Sequence, residues 1–95
     1  MGAMALLTEA QVAEALAGLP GWERVGDAFT KTFACASFPA AIAFVVEVGF
    51  LAEQANHHPD LDVRWRNVKV TLTTHDQGGL TELDAALAAR IDQVA

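Results

Sequence analysis

The 95-residue chain has three histidines, and His57, His58 and His75 all fall within residues 53–84, bracketed by the carboxylates Glu53 and Asp84. Imidazole changes charge near neutral pH, so histidines set beside carboxylates are suited to moving protons to and from a substrate. A helix running through His57 would carry Glu53 four residues earlier on the same face, where its carboxylate could orient the ring. Pro59 disfavours helical geometry at His58, so that helix is predicted to end there. A helix C-terminus favours a cation, which suits a proton-donating His57. Singly, each residue has an ordinary explanation: a cap for His57, a turn for His58, a loop for His75, a helix start for Asp84. Five such groups in one stretch favour a site.

Zinc is the competing chemistry for three histidines. Adjacent His57 and His58 are poorly placed to share one ion, no two histidines stand four residues apart, and the single cysteine, Cys35, forms no cluster. No metal and no organic cofactor is expected.

Turn chemistry and periodicity outline the elements that must hold these groups. Thr8 and Gln11 have capping-box spacing, and a first helix over residues 8–17 ends at Gly18, Pro20 and Gly21. Residues 22–25 and Ala28–Ala34 read as two strands joined at Gly26-Asp27, with Lys31 between Phe29 and Phe33 marking a sheet edge. Ser37 and Pro39 open a long helix over residues 39–56 that is apolar nearly all round. Its Ile42, Val45, Val46 and Gly49 face is assigned to the sheet, leaving Phe44, Val48 and Leu51 for other cover. Leu61, Val63 and Trp65 alternate with polar residues, a two-residue turn follows at Arg66-Asn67, and Val68, Val70 and Leu72 alternate again. Gly78-Gly79 breaks the chain and Thr81 caps a last helix. The order α-β-β-α-β-β-α predicts one α+β domain over residues 1–95, a four-stranded antiparallel sheet with three helices packed on one face.

A hydrophobic fraction of 53% is high for so small a core. Apolar surface is therefore expected between subunits, with Phe44, Val48 and Leu51 covered in a homodimer or homotetramer. Twelve acidic against six scattered basic residues give a net charge of −6, which argues against nucleic-acid binding. One cysteine, which is expected to be buried and inert, excludes an intramolecular disulfide and suits a reducing compartment. Residues 1–7 carry no secretion signal, and the apolar tract 40–52, interrupted by Glu47, is too short to span a bilayer. A cytoplasmic protein with no membrane contact is expected.

The pattern Glu53-x3-His57-His58-Pro59-x5-Trp65-x9-His75-x8-Asp84 resembles the signature of the pterin-4a-carbinolamine dehydratases, also called 4a-hydroxytetrahydrobiopterin dehydratases. Gly21-Trp22 before a hairpin, Phe29, the element order and the length agree with that resemblance. It implies dehydration of a 4a-hydroxytetrahydropterin to the quinonoid dihydropterin, in pterin recycling, without metal or cofactor. The implied pterin contacts are Asn56, His57 and His58, and Thr73, Thr74, His75 and Asp76. The implied catalytic set is His57, His58 and His75 with Glu53 and Asp84. Asn56 replaces a familiar aspartate, removing a charge from the rim, and Thr73 replaces a familiar serine. Such an elimination needs one proton delivered to the leaving hydroxyl and one removed from the neighbouring ring nitrogen. His57, oriented by Glu53, is the assigned acid, His75 the base, and His58 the group that polarises the substrate; acid and base are exchangeable on these grounds. Some members of the family also serve as dimerisation cofactors of a homeodomain transcription factor. A non-catalytic interaction module is therefore the alternative reading, although no motif for it is visible.

Overall fold

The computed structural model describes residues 4–95; residues 1–3, the start of the stretch expected to lack a secretion signal, lie outside the described residues. Helix α1 (Glu9–Ala17) opens on a capping box in which Thr8 and Gln11 satisfy each other's amides. Strands β1 (Glu23–Val25) and β2 (Ala28–Ala34) form the first hairpin, turned at Gly26 with φ +59. Helix α2 (Phe38–Ala55) starts at the Ser37 cap, and β3 (Asp60–Arg64) and β4 (Asn67–Leu72) form the second hairpin. A single 3-10 turn (His75–Gln77) leads to helix α3 (Glu82–Val94). All pairings are antiparallel, in the strand order β1-β2-β4-β3.

The core forms between one sheet face and the helices. Phe29, Val68, Val70 and Leu72 from the sheet meet Val48 of α2 and Leu87 and Ile91 of α3, all 0–1% exposed. Each such side chain contributes about 1.5–3 kcal/mol on burial. Trp22 closes one end, edge-on to Phe33, with its indole N–H donating to Asp92 at 3.0 Å. Lys31 reaches the same carboxylate at 2.9 Å and the Pro20 carbonyl at 2.8 Å, tying the α1–β1 connection to α3.

Four expectations need correction. Helix α2 packs with Ala41, Phe44, Val48 and Ala52 inward, while Ile42, Val46, Gly49 and Phe50 are exposed. Both faces have helical spacing, so periodicity does not choose between them. The small Ala41 and Ala52 let α2 approach its neighbours on the side that wins. Lys31 does not lie on an edge strand, because β2 pairs with both β1 and β4. Strand β1 stops opposite Thr30, however, so the flank of β2 at Lys31 is open. The second hairpin turns at Trp65-Arg66, one residue earlier than predicted, since Arg64 pairs with Asn67. That places Trp65 at φ +52 and leaves it 66% exposed. Left-handed backbone at a non-glycine residue costs on the order of 1 kcal/mol, offset in part by the Arg66 guanidinium stacked 4.5 Å from the indole. Cys35 is half-buried rather than buried.

At 18 residues α2 is also long and apolar enough to cross a membrane by length and composition alone, unlike the shorter tract 40–52. Here one side of it belongs to the core of the domain.

Candidate active site

Two chain segments meet at the edge of the helical layer. The first is the end of α2. The helix stops at Ala55, and Asn56 takes the left-handed conformation (φ 49, ψ 41). Its amide bonds the Glu53 carbonyl at 3.2 Å, and the His57 amide reaches back to Ala52 at 3.1 Å. This paired closure is a Schellman motif, and asparagine is the non-glycine residue that suits it. Asn56 therefore has a backbone role beyond the charge it lacks.

The closure also redirects the histidines. His57 is not the last helical residue, so it does not stack one turn beyond Glu53 as expected. Its Nε2 lies 2.6 Å from Asp84 Oδ1, with the ring side chain 10% and the carboxylate 0% exposed. Glu53 pairs instead with His58, Oε2 to Nε2 at 2.9 Å, and both are well exposed. His57 Nδ1 has no hydrogen-bond partner among the described residues and is not sealed from solvent.

The second segment follows β4. Thr74 and Gly79 bond each other's backbones in both directions, closing a loop around the 3-10 turn. Gly78, at φ +74, ends that turn. His75 is thereby held exposed at the rim, and its ring makes no hydrogen bond among the described residues. Thr73 Oγ1 is committed to the Asp27 carbonyl at 2.6 Å, so its proton is not free for a ligand.

Asp84 links the site to α3. It is the third residue of the helix and completes the capping box with Thr81, whose amide donates to Oδ2 at 2.9 Å. Thr74 Oγ1 donates to the same oxygen at 2.8 Å. With no exposed surface, Asp84 is out of reach of a ligand and meets the cleft only through His57. Thr81 was not singled out for the site; its capping-box spacing to Asp84 was the available signal.

The seven residues implied as pterin contacts, Asn56, His57, His58, Thr73, Thr74, His75 and Asp76, line one open cleft of about 240 Å³. A larger cavity of about 390 Å³, between the end of β2, the first half of α2 and the C-terminus, includes Cys35 and Glu47 but no histidine. All three histidines line the smaller one. Among the described residues no group of three histidine, cysteine or acidic side chains is arranged to hold a metal ion.

A two-layer α+β domain with a histidine cleft between its helix ends is the class that fold and site define. The family pattern of pterin 4 alpha carbinolamine dehydratase matches residues 5–94, and the chain belongs to that family. A relative from Roseiflexus castenholzii, provisionally named a pterin-4-alpha-carbinolamine dehydratase, is 58% identical over 90 residues, covering 95% of this chain and 97% of its own. One from Nocardia farcinica, named likewise, is 53% identical over 90 residues, covering 95% of each chain. The crystal structure of a transcriptional coactivator/pterin dehydratase from Brucella melitensis superposes with a TM-score of 0.92 at 36% identity, covering 96% of this chain and 99% of that one. A pterin dehydratase-like RuBisCO assembly factor of the alpha-carboxysome superposes with a TM-score of 0.64 at 28% identity, covering 78% of this chain and 86% of that one.

Proposed function

We propose that this protein dehydrates a 4a-hydroxytetrahydropterin to the quinonoid dihydropterin by histidine acid–base catalysis, as a step of pterin recycling in the cytoplasm. The observation that carries this reading is the convergence of three imidazoles on one cleft, with His57 braced by buried Asp84 at 2.6 Å. The elimination needs two proton transfers on neighbouring atoms, and positioned imidazoles typically contribute about 10²–10⁴-fold to such a step. The bracing by Asp84 favours exchanging the roles first assigned, with His57 as base and His58 or His75 as acid.

The test is turnover of freshly generated 4a-hydroxytetrahydropterin, before and after exhaustive dialysis against a chelator. Turnover that survives dialysis is expected. The elimination needs only proton transfers, and among the described residues no group of three histidine, cysteine or acidic side chains is arranged to hold an ion. Activity lost on dialysis and restored by zinc would reverse the mechanism.

A protein-binding role is the second reading, and the outer side of α2 favours it. Phe38, Ile42, Val46 and Phe50 recur every four residues and are 42–68% exposed. We propose that this stripe, rather than Phe44, Val48 and Leu51, joins subunits of a homo-oligomer, since so much apolar side chain left in water would forgo several times the ~1.5–3 kcal/mol of one burial. Sedimentation equilibrium of Val46→Glu should give a folded monomer. Val48→Glu, in the core, should fail to fold. A wild type that is already monomeric at micromolar concentration would remove the proposal.

A further inference from the structure

Asp84 receives hydrogen bonds from three directions and has no exposed surface. The Thr81 amide, 2.9 Å from Oδ2, can only donate. Thr74 Oγ1, 2.8 Å from the same oxygen, has one proton, and that contact uses it. Thr74 and Thr81 hydroxyls lie 2.8 Å apart, so the proton between them comes from Thr81. Thr81 Oγ1 in turn accepts the Leu83 amide at 3.3 Å. Surrounded by donors, the ionised carboxylate has only Oδ1 left, and it faces His57 Nε2 at 2.6 Å.

We infer that the capping box of α3, together with Thr74, fixes the tautomer of His57: the neutral ring keeps its hydrogen on Nε2 and offers the Nδ1 lone pair to the cleft. Thr74 and Thr81 are then positioning residues for proton abstraction. Their role in catalysis rests on the dehydratase reading, whereas the tautomer does not. In the elimination, Nδ1 takes the proton from the ring nitrogen beside the carbinol carbon. The N–H electron pair becomes the new C=N bond as the C–O bond breaks. The departing hydroxyl takes a proton from a second, protonated imidazole, His58 or His75, and leaves as water. One imidazole gains a proton and another loses one, so exchange with solvent restores both.

Asp84→Asn separates this arrangement from simple proximity. The Thr81 amide and the Thr74 hydroxyl both donate at the Oδ2 position, which must therefore hold the amide oxygen. The amide NH₂ then faces Nε2 and donates to it, driving the hydrogen of the neutral ring to Nδ1. Nitrogen-15 NMR of the ring, at a pH where it is neutral, should find the lone pair on Nδ1 in the wild type and on Nε2 in Asp84→Asn. The variant's kcat should fall by roughly 10³–10⁴-fold with little change in KM, as expected when a base presents the wrong nitrogen. Thr74→Val should lower kcat by about tenfold, with Thr74→Ser restoring it, since one of three donors is lost and returned. A wild-type lone pair on Nε2, or a folded Asp84→Asn with its lone pair still on Nδ1, would overturn the inference. Should Asp84→Asn not fold, the wild-type spectrum and an equal kcat for Thr74→Val and wild type decide against it in the same way. The expected tautomer switch in a protein that turns over no hydroxypterin would uphold the tautomer and defeat the dehydratase reading.

Discussion

The site contains the same imidazole–carboxylate contact twice, in opposite surroundings. His57–Asp84 and His58–Glu53 each join an imidazole Nε2 to a carboxylate, at 2.6 and 2.9 Å. Asp84 has no exposed surface and holds two further hydrogen bonds, whereas the Glu53 side chain is 80% exposed and holds none besides His58 among the described residues. Exposed pairs of this kind contribute about 0–1 kcal/mol and hold geometry loosely. A buried pair costs several kcal/mol to desolvate but, once satisfied, leaves its ring one orientation. On the proposed mechanism the pairs divide the labour, one fixing a proton's position and the other leaving a ring free to follow a ligand.

The comparison can be broken most forcefully from the buried side. His57→Ala should reduce turnover by roughly 10²–10⁴-fold with the fold intact, because it removes the braced proton-transfer group. The same loss in His58→Ala with none in His57→Ala would invert the two roles. Asp84→Ala should destabilise the protein by about 3–5 kcal/mol in urea unfolding, since the Thr81 amide and the Thr74 hydroxyl lose a buried acceptor and a helix cap goes with it. Glu53→Gln should alter stability by less than about 1 kcal/mol and kcat/KM only a few-fold, and added salt should shrink the wild-type difference. A large, salt-insensitive loss would show that the outer pair is also rigid.

The smallest effect belongs to a third pair, Glu9–Arg24 at 2.6 Å, far from the cleft in the sequence and on the surface. The hydrogen bond from Arg24, and then its charge, hold the Glu9 carboxyl below its ordinary range. A lowered folded-state value stabilises the protein above the unfolded carboxylate range and is lost as pH falls through the lowered value. Glu9→Gln should accordingly lower the neutral plateau of a stability–pH curve slightly, flatten its acid limb and leave the acid end nearly unchanged. A variant losing stability equally at every pH would point to packing instead.

Much of this was legible in the chain itself. The first capping box, the Thr81 cap, the limits of β2, the alternation of Val68, Val70 and Leu72, and the order of elements follow from local rules that the tertiary structure leaves alone. The cleft's lining was legible only through a family likeness, because no local rule brings residues 56–58 to residues 73–76. What failed depended on distance or degeneracy. Glu53 was matched to His57 by assuming four residues of helix, and a left-handed Asn56 handed that ring to a carboxylate 27 positions away. The inward side of α2 could not be read because Phe44 and Ile42 are equally apolar; contact with the sheet and α3 chose between them. The second turn slipped by one because Trp65 accepts a backbone region that residue type alone disfavours.

The start of α3 serves two masters, since the amide that begins the helix also anchors the carboxylate that holds His57. Helix ends are where native proteins open first, well below the free energy of global unfolding. In this chain such fraying is also loss of the reactive constellation. Heat or mild denaturant should therefore silence the cleft while the sheet remains protected. Hydrogen exchange at the Thr81 and Asp84 amides should follow inactivation more closely than the unfolding transition does. A ligand that occupies the cleft, by holding His57, should slow exchange at a helix end it never touches.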